Sequence, residues 1–103
     1  MIRYLCSELV VLKRDATETV VNLEEIWDGG AAVEMDDEVV EGQALQLKCG
    51  DHVFPAQVTM AAKHDFGWRV EMEFAPGSRW TPELFRPEHM LDPHDLAAKK
   101  VPT

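Results

Sequence analysis

Between Trp68 and Phe74 the chain reads WRVEMEF, with Trp68, Val70, Met72 and Phe74 at one parity and Arg69, Glu71 and Glu73 at the other. Successive side chains of an extended strand point to opposite faces, so this stretch has one apolar side and one charged side. A helix would scatter the same groups around its circumference. The pattern is that of an antiparallel strand with one dry and one wet face.

The alternation recurs along the chain. Ala44 to Cys49 sets Leu45, Leu47 and Cys49 against Gln46 and Lys48. Four further segments are strand candidates: Glu8 to Arg14, with Leu9-Val10-Val11-Leu12; Thr17 to Ile26, rich in threonine and valine; Gly30 to Met35, with Ala31, Val33 and Met35 on one face; and Val53 to Ala62, with Phe54, Ala56, Val58 and Met60 together. In the second of these, Val21 and Leu23 share a parity that the pair Glu24-Glu25 breaks before Ile26. A β-bulge at Glu24 or Glu25 restores the register.

Turn signals separate the strands: Arg14-Asp15-Ala16-Thr17, Asp28-Gly29-Gly30, Val40-Glu41-Gly42, the tight Cys49-Gly50-Asp51 and Lys63-His64-Asp65-Phe66-Gly67. Six short strands at such intervals predict an all-β barrel or sandwich. Pro55 has no N–H for a ladder and is expected at an edge, a bulge or a non-donating position. After Phe74, Thr81 as N-cap and Pro82 at the first helical position predict a short helix or helical turn, and Arg86 to Leu91 a second turn. Trp80, Leu84, Phe85, Met90 and Leu91 can plug an open barrel end. Residues 1–92 then form one domain, and 93–103 a polar, mobile tail with at most a helical turn at Pro93 to Lys99.

Bulk properties narrow the function classes. A chain of 103 residues, 46% hydrophobic, suits one core. Two cysteines, Cys6 and Cys49, are too few for a disulfide scaffold and match no zinc or redox spacing, which points to a reduced, cytoplasmic protein. The amino-terminal residues lack the order of a secretory signal, and no apolar run reaches the ~20 residues that span a bilayer. The net charge is −9, and no basic residue lies between Arg14 and Lys48. Such a surface repels phosphate backbones, so nucleic acid is not an expected partner.

Catalytic patterns are absent. Ser7 and Ser78, the two serines, sit in no nucleophile elbow, and both cysteines lie on apolar segments. Glu88-His89 through Asp92, His94 and Asp95 is dense in metal-ligand types, but its spacing matches no His-x-x-x-His pair. No glycine-rich phosphate loop precedes a helix. A non-enzymatic protein without metal or cofactor is the expectation.

The order of pieces carries one resemblance. The strand Glu25-Ile26-Trp27-Asp28-Gly29-Gly30-Ala31-Ala32-Val33, then Glu41-Gly42-Gln43-Ala44-Leu45-Gln46-Leu47, Ala56-Gln57-Val58, and Gly67 to Phe74, together resemble the PilZ domain from about Arg3 to Phe74. The opening residues 3–9 and closing residues 86–93 resemble small bacterial PilZ-like proteins. The resemblance implies a six-stranded antiparallel, split β-barrel with a terminal helix, and binding of the second messenger cyclic di-GMP through Arg-x-x-x-Arg and Asp/Asn-x-Ser-x-x-Gly motifs. Here Arg3 stands for the first arginine and Ser7 for the second; Glu25 takes the Asp/Asn position, Trp27 the serine, and Gly30 the glycine. With one arginine and extra carboxylates, cyclic di-GMP binding is expected to be weak or lost. The chain then acts by protein contact as an adaptor or regulatory subunit, with Trp27 and Trp80 as interaction aromatics. The alternative is a cyclic di-GMP receptor with unconventional contacts.

Overall fold

The computed structural model describes residues 2–93. Six strands, β1 (Tyr4–Arg14), β2 (Thr17–Trp27), β3 (Gly30–Met35), β4 (Ala44–Cys49), β5 (His52–His64) and β6 (Gly67–Phe74), form a closed antiparallel barrel in the order β1-β2-β3-β6-β5-β4. The bounds of β3 and β4 match those read from alternation; β1 starts at Tyr4 rather than Glu8, and β5 extends to His64. Hairpins turn at Asp15-Ala16, Asp28-Gly29, Gly50-Asp51 and Asp65-Phe66. Gly50, at φ 59°, supplies the left-handed backbone that a tight hairpin needs.

One connection is not a hairpin. Residues 36–43 carry the chain from β3 across one barrel end to β4, and Val39, 3% exposed, closes that end. The barrel is sealed where β4 meets β1 through Val11↔Lys48, Leu12↔Leu47 and Lys13↔Gln46. Beyond this seam the free edge of β1 is covered by the C-terminal segment: Leu5 and Leu91 exchange backbone bonds of 2.9 and 2.7 Å, and Ser7 N donates to Glu88 O at 3.1 Å. Covering the edge satisfies donors that would otherwise invite a foreign strand.

The core holds Val10, Leu12, Val21, Leu23, Ile26, Val33, Leu47, Phe54, Val58, Val70, Met72 and Phe74. Phe54 and Phe74 stack at 4.8 Å. The β2 register slips between Leu23 and Glu25 against β3, so Glu24 is the extra residue and Ile26 returns to the core. A second slip, between Val58 and Met60 on β5, has no counterpart in the sequence reading. It turns Ala61 toward the core in place of the expected Met60.

Pro55 pairs with Gln46 on one side. On the other its carbonyl accepts from Ala75 N at 2.8 Å, beyond the last residue of β6. Its missing N–H therefore falls outside the ladder.

Between Ala75 and Leu91 the chain makes turns, where a short helix or helical turn was expected. Leu84 N and Phe85 N both donate to Thr81 O, at 3.0 and 3.4 Å, giving one helical turn. Continuation is blocked because Arg86 precedes Pro87, which disfavours helical backbone. The Phe85 carbonyl is taken by the Trp80 indole N–H at 2.7 Å. His89, at φ 58°, makes the second turn. The expected tail lies, beyond Pro93, outside the described residues.

Candidate functional site

The β2–β3 hairpin and the neighbouring outer face of β6 hold a connected cluster of charged and aromatic groups. In register, Glu25 on β2 stands beside Ala32 on β3, which stands beside Glu71 on β6. Ala32 is fully buried, yet it lies outside the core cluster. Its side chain occupies the outer face, and its smallness leaves a shallow trough between the two carboxylates.

Arg3, just before β1, enters this trough. Its guanidinium carbon lies 3.9 Å from the centroid of the Trp27 ring. Nε is 3.1 Å from Glu25 Oε2, and Nη2 is 3.1 Å from Glu71 Oε1. Neither contact has the alignment of a hydrogen bond, and both nitrogens are shielded from solvent. They are paired by charge alone, which is weaker than the bidentate fork that arginine can make.

Arg69 completes the network from β6. Nη1 donates to Glu24 Oε1 at 2.9 Å, Nη2 donates to Glu25 Oε1, and Glu71 Oε2 is 3.7 Å away. Burial works against its charge, but the hydrogen bond and charge of Glu25, with Glu24 and Glu71 behind, hold its pKa above the ordinary arginine value. Three carboxylates thus face two guanidiniums, a local charge of −1.

Four of the five ligand-motif positions therefore meet: Arg3, Glu25, Trp27 and Gly30. Ser7 does not join them. It lies where β1 slips register between Leu5 and Glu8, and its hydroxyl is 3.4 Å from Asn22 Oδ1. Trp80 is not a surface aromatic. It is 2% exposed, plugs the barrel end opposite Val39, and meets Tyr4 edge-on at 5.6 Å. Its position corrects the expectation of an interaction residue and fits the plugging role, which Phe85 and Met90 share.

Arg69 and Glu71 were legible as outward-facing charges and Glu24 only as part of the parity break; their convergence was not legible. The available signal was the run of small residues Gly30-Ala31-Ala32, which places two small groups on the outer face of a strand.

A second concavity, an open cleft of about 870 Å³, lies over β4, β5 and the end of β6, with Lys13, Asp15, Gln46, Gln57 and Glu73 at its walls. Both thiols are free, and each pKa is pushed up to about 12, by burial first and then by Glu8. Such thiols stay protonated and make poor nucleophiles at neutral pH. Among the described residues no three His, Cys, Asp or Glu side chains are grouped to hold a metal; His94 and Asp95 lie outside them. No helix among the described residues is long and apolar enough to cross a membrane.

The outer trough and its neighbours thus define a class at the level of fold: a closed six-stranded antiparallel β-barrel bearing an arginine–tryptophan–carboxylate cluster on one hairpin. No protein-family model matches the chain, and no curated protein matches its sequence.

Proposed function

We propose that this chain is a non-enzymatic, PilZ-like regulatory module that acts through protein contact in the cytoplasm, with its cyclic di-GMP position closed by its own carboxylates. One observation supports the reading above others: Arg3, the sole arginine at a ligand-motif position, is held between Glu25 and Glu71 on the Trp27 face. A dinucleotide with two phosphates would have to break those pairs and enter a region of net negative charge. Calorimetry with cyclic di-GMP at modest salt tests this. No heat up to high micromolar ligand is the expected result; a saturable micromolar isotherm sinks the reading. Affinity capture with the intact chain then tests for a protein partner.

A second reading, a cyclic di-GMP receptor with unconventional contacts, draws on the cleft of about 870 Å³, which has the size of small-ligand sites. Lys13 is its cation. If the isotherm saturates and Lys13→Ala abolishes it, the second reading replaces the first.

A further inference from the structure

We propose that Trp27, Glu25 and Glu71 form a recognition site for an arginine side chain presented by a protein partner, and that Arg3 holds this site closed as an internal competitor. The inference rests on the adaptor reading above and names the chemistry of its contact. The occupant is defined by what already sits there. A guanidinium lies on the indole face at 3.9 Å, with one carboxylate reaching Nε and another reaching Nη2. A flat, delocalised cation suits an aromatic face flanked by two acids; the ammonium of lysine would meet the ring and only one acid well.

Three features make Arg3 displaceable. It precedes the first ladder pair of β1, Tyr4↔Ile26, so no strand register fixes its backbone. Its side chain is 37% exposed. Its contacts to Glu25 and Glu71 are close but poorly aligned, so an arginine approaching from outside can make better ones. The charge also favours an incoming cation. Without Arg3, three carboxylates face Arg69 alone, and the local charge moves from −1 to −2. Arg69 keeps Glu24 and Glu25 in place while the trough is vacated.

Tethering makes Arg3 a strong competitor, because its effective concentration at the site is in the ~mM range or above. A free arginine peptide should therefore bind the intact chain weakly, and a variant without Arg3 more tightly. The probes are acetyl-Gly-Arg-Gly-amide and its lysine counterpart, titrated against the full chain while the Trp27 indole N–H is followed by NMR. Arg3→Gln should bind the arginine peptide about tenfold more tightly than wild type, and the lysine peptide several-fold more weakly than the arginine one. Lys48→Gln removes the same charge from a strand outside the cluster and should behave as wild type. Wild type should show the same indole shift at higher peptide concentration, which keeps the test decisive even if Arg3→Gln or a parallel Arg3→Ala fails to fold.

Equal binding by Arg3→Gln and Lys48→Gln, equal binding of the two peptides, or a Trp27 signal that never moves overturns the proposal. A captured partner that survives Trp27→Leu overturns this site and leaves the adaptor reading standing. An arginine peptide that binds as expected, with no partner captured, supports the site and removes the adaptor reading.

Discussion

The indole of Trp27 occupies the volume that a side chain at Gly30 would need. The two residues are cross-strand partners, and a Cβ on Gly30 would collide with the Met72 carbonyl oxygen and come within 2.8 Å of the indole Cζ2. Gly30 has no positive φ, so its requirement is close approach and not left-handed backbone. Gly29, beside it, has no positive φ either, and a Cβ there would meet nothing within 4 Å.

These neighbours should therefore respond differently to alanine. Gly30→Ala should cost about 2–3 kcal/mol by overpacking, and should displace the Trp27 ring. Gly29→Ala should stay within about 0.5 kcal/mol of wild type. Urea midpoints with tryptophan fluorescence measure both. Equal midpoints would contradict the collision with the Met72 carbonyl, which no movement of the indole can relieve.

Trp80 is the plug of one barrel end, and its indole N–H is satisfied by Phe85 O at 2.7 Å. Trp80→Phe keeps much of the ring volume but leaves that carbonyl without its donor, at a cost of about 1–2 kcal/mol. Trp80→Ala adds a cavity and should cost about 3–5 kcal/mol. Chemical denaturation of the two variants side by side separates the hydrogen bond from the packing.

Arg3 and Arg69 should differ in weight although they share Glu25 and Glu71. Arg3→Ala removes a cation–π contact and two misaligned ion pairs, so about 1 kcal/mol or less should be lost, with the loss shrinking as salt rises. Arg69→Met leaves Glu24, Glu25 and Glu71 with only Arg3 among them and should cost about 2–3 kcal/mol. Denaturation at low and high salt tests the ranking; Arg3 proving the costlier residue would contradict the geometry.

The pH profile should carry the mark of Cys49. Its pKa is raised from 9.0 to about 12, chiefly by burial. A thiol is neutral when protonated, so the stability linked to this shift is fully present below pH 9, the unfolded value. It is lost as pH rises toward 12, because the unfolded chain releases the proton first. The slope is about 1.4 kcal/mol per pH unit in that window. Cys6 carries the same shift, so Cys49→Ala, whatever its packing cost, should roughly halve the steepness of the alkaline limb in denaturation curves taken from pH 8 to 11. A limb of unchanged steepness would assign the loss to other groups.

The strands could be read from the chain because each carries its own evidence. Alternation over Trp68–Phe74 and Ala44–Cys49 needs no neighbour to be legible, and the parity break at Glu24-Glu25 announced its bulge. The bulge between Val58 and Met60 left no such mark, since Met60 and Ala61 are both apolar and either could face inward. Where Thr81 and Pro82 suggested a helix or helical turn, the backbone makes a single turn onto Thr81 O, with Pro87 and the Trp80–Phe85 bond against its continuation.

The candidate site was visible only in part. Glu25, Trp27 and Gly30 lie together in the chain, and the resemblance joined Arg3 to them. That Arg69 and Glu71 complete the cluster follows from β6 pairing with β3, a contact between segments far apart in sequence. Local periodicity determined that six strands form and which face most of each keeps dry, because a strand's two-residue repeat is written along the chain itself; the first residues of β1 and the inward turn of Ala61 were not written there. The order of strands, the seam between β1 and β4, and the seating of Arg3 between two carboxylates were decided by the closed barrel. Those contacts depend on how the curved sheet brings its edges together, and that is a property of all six strands at once.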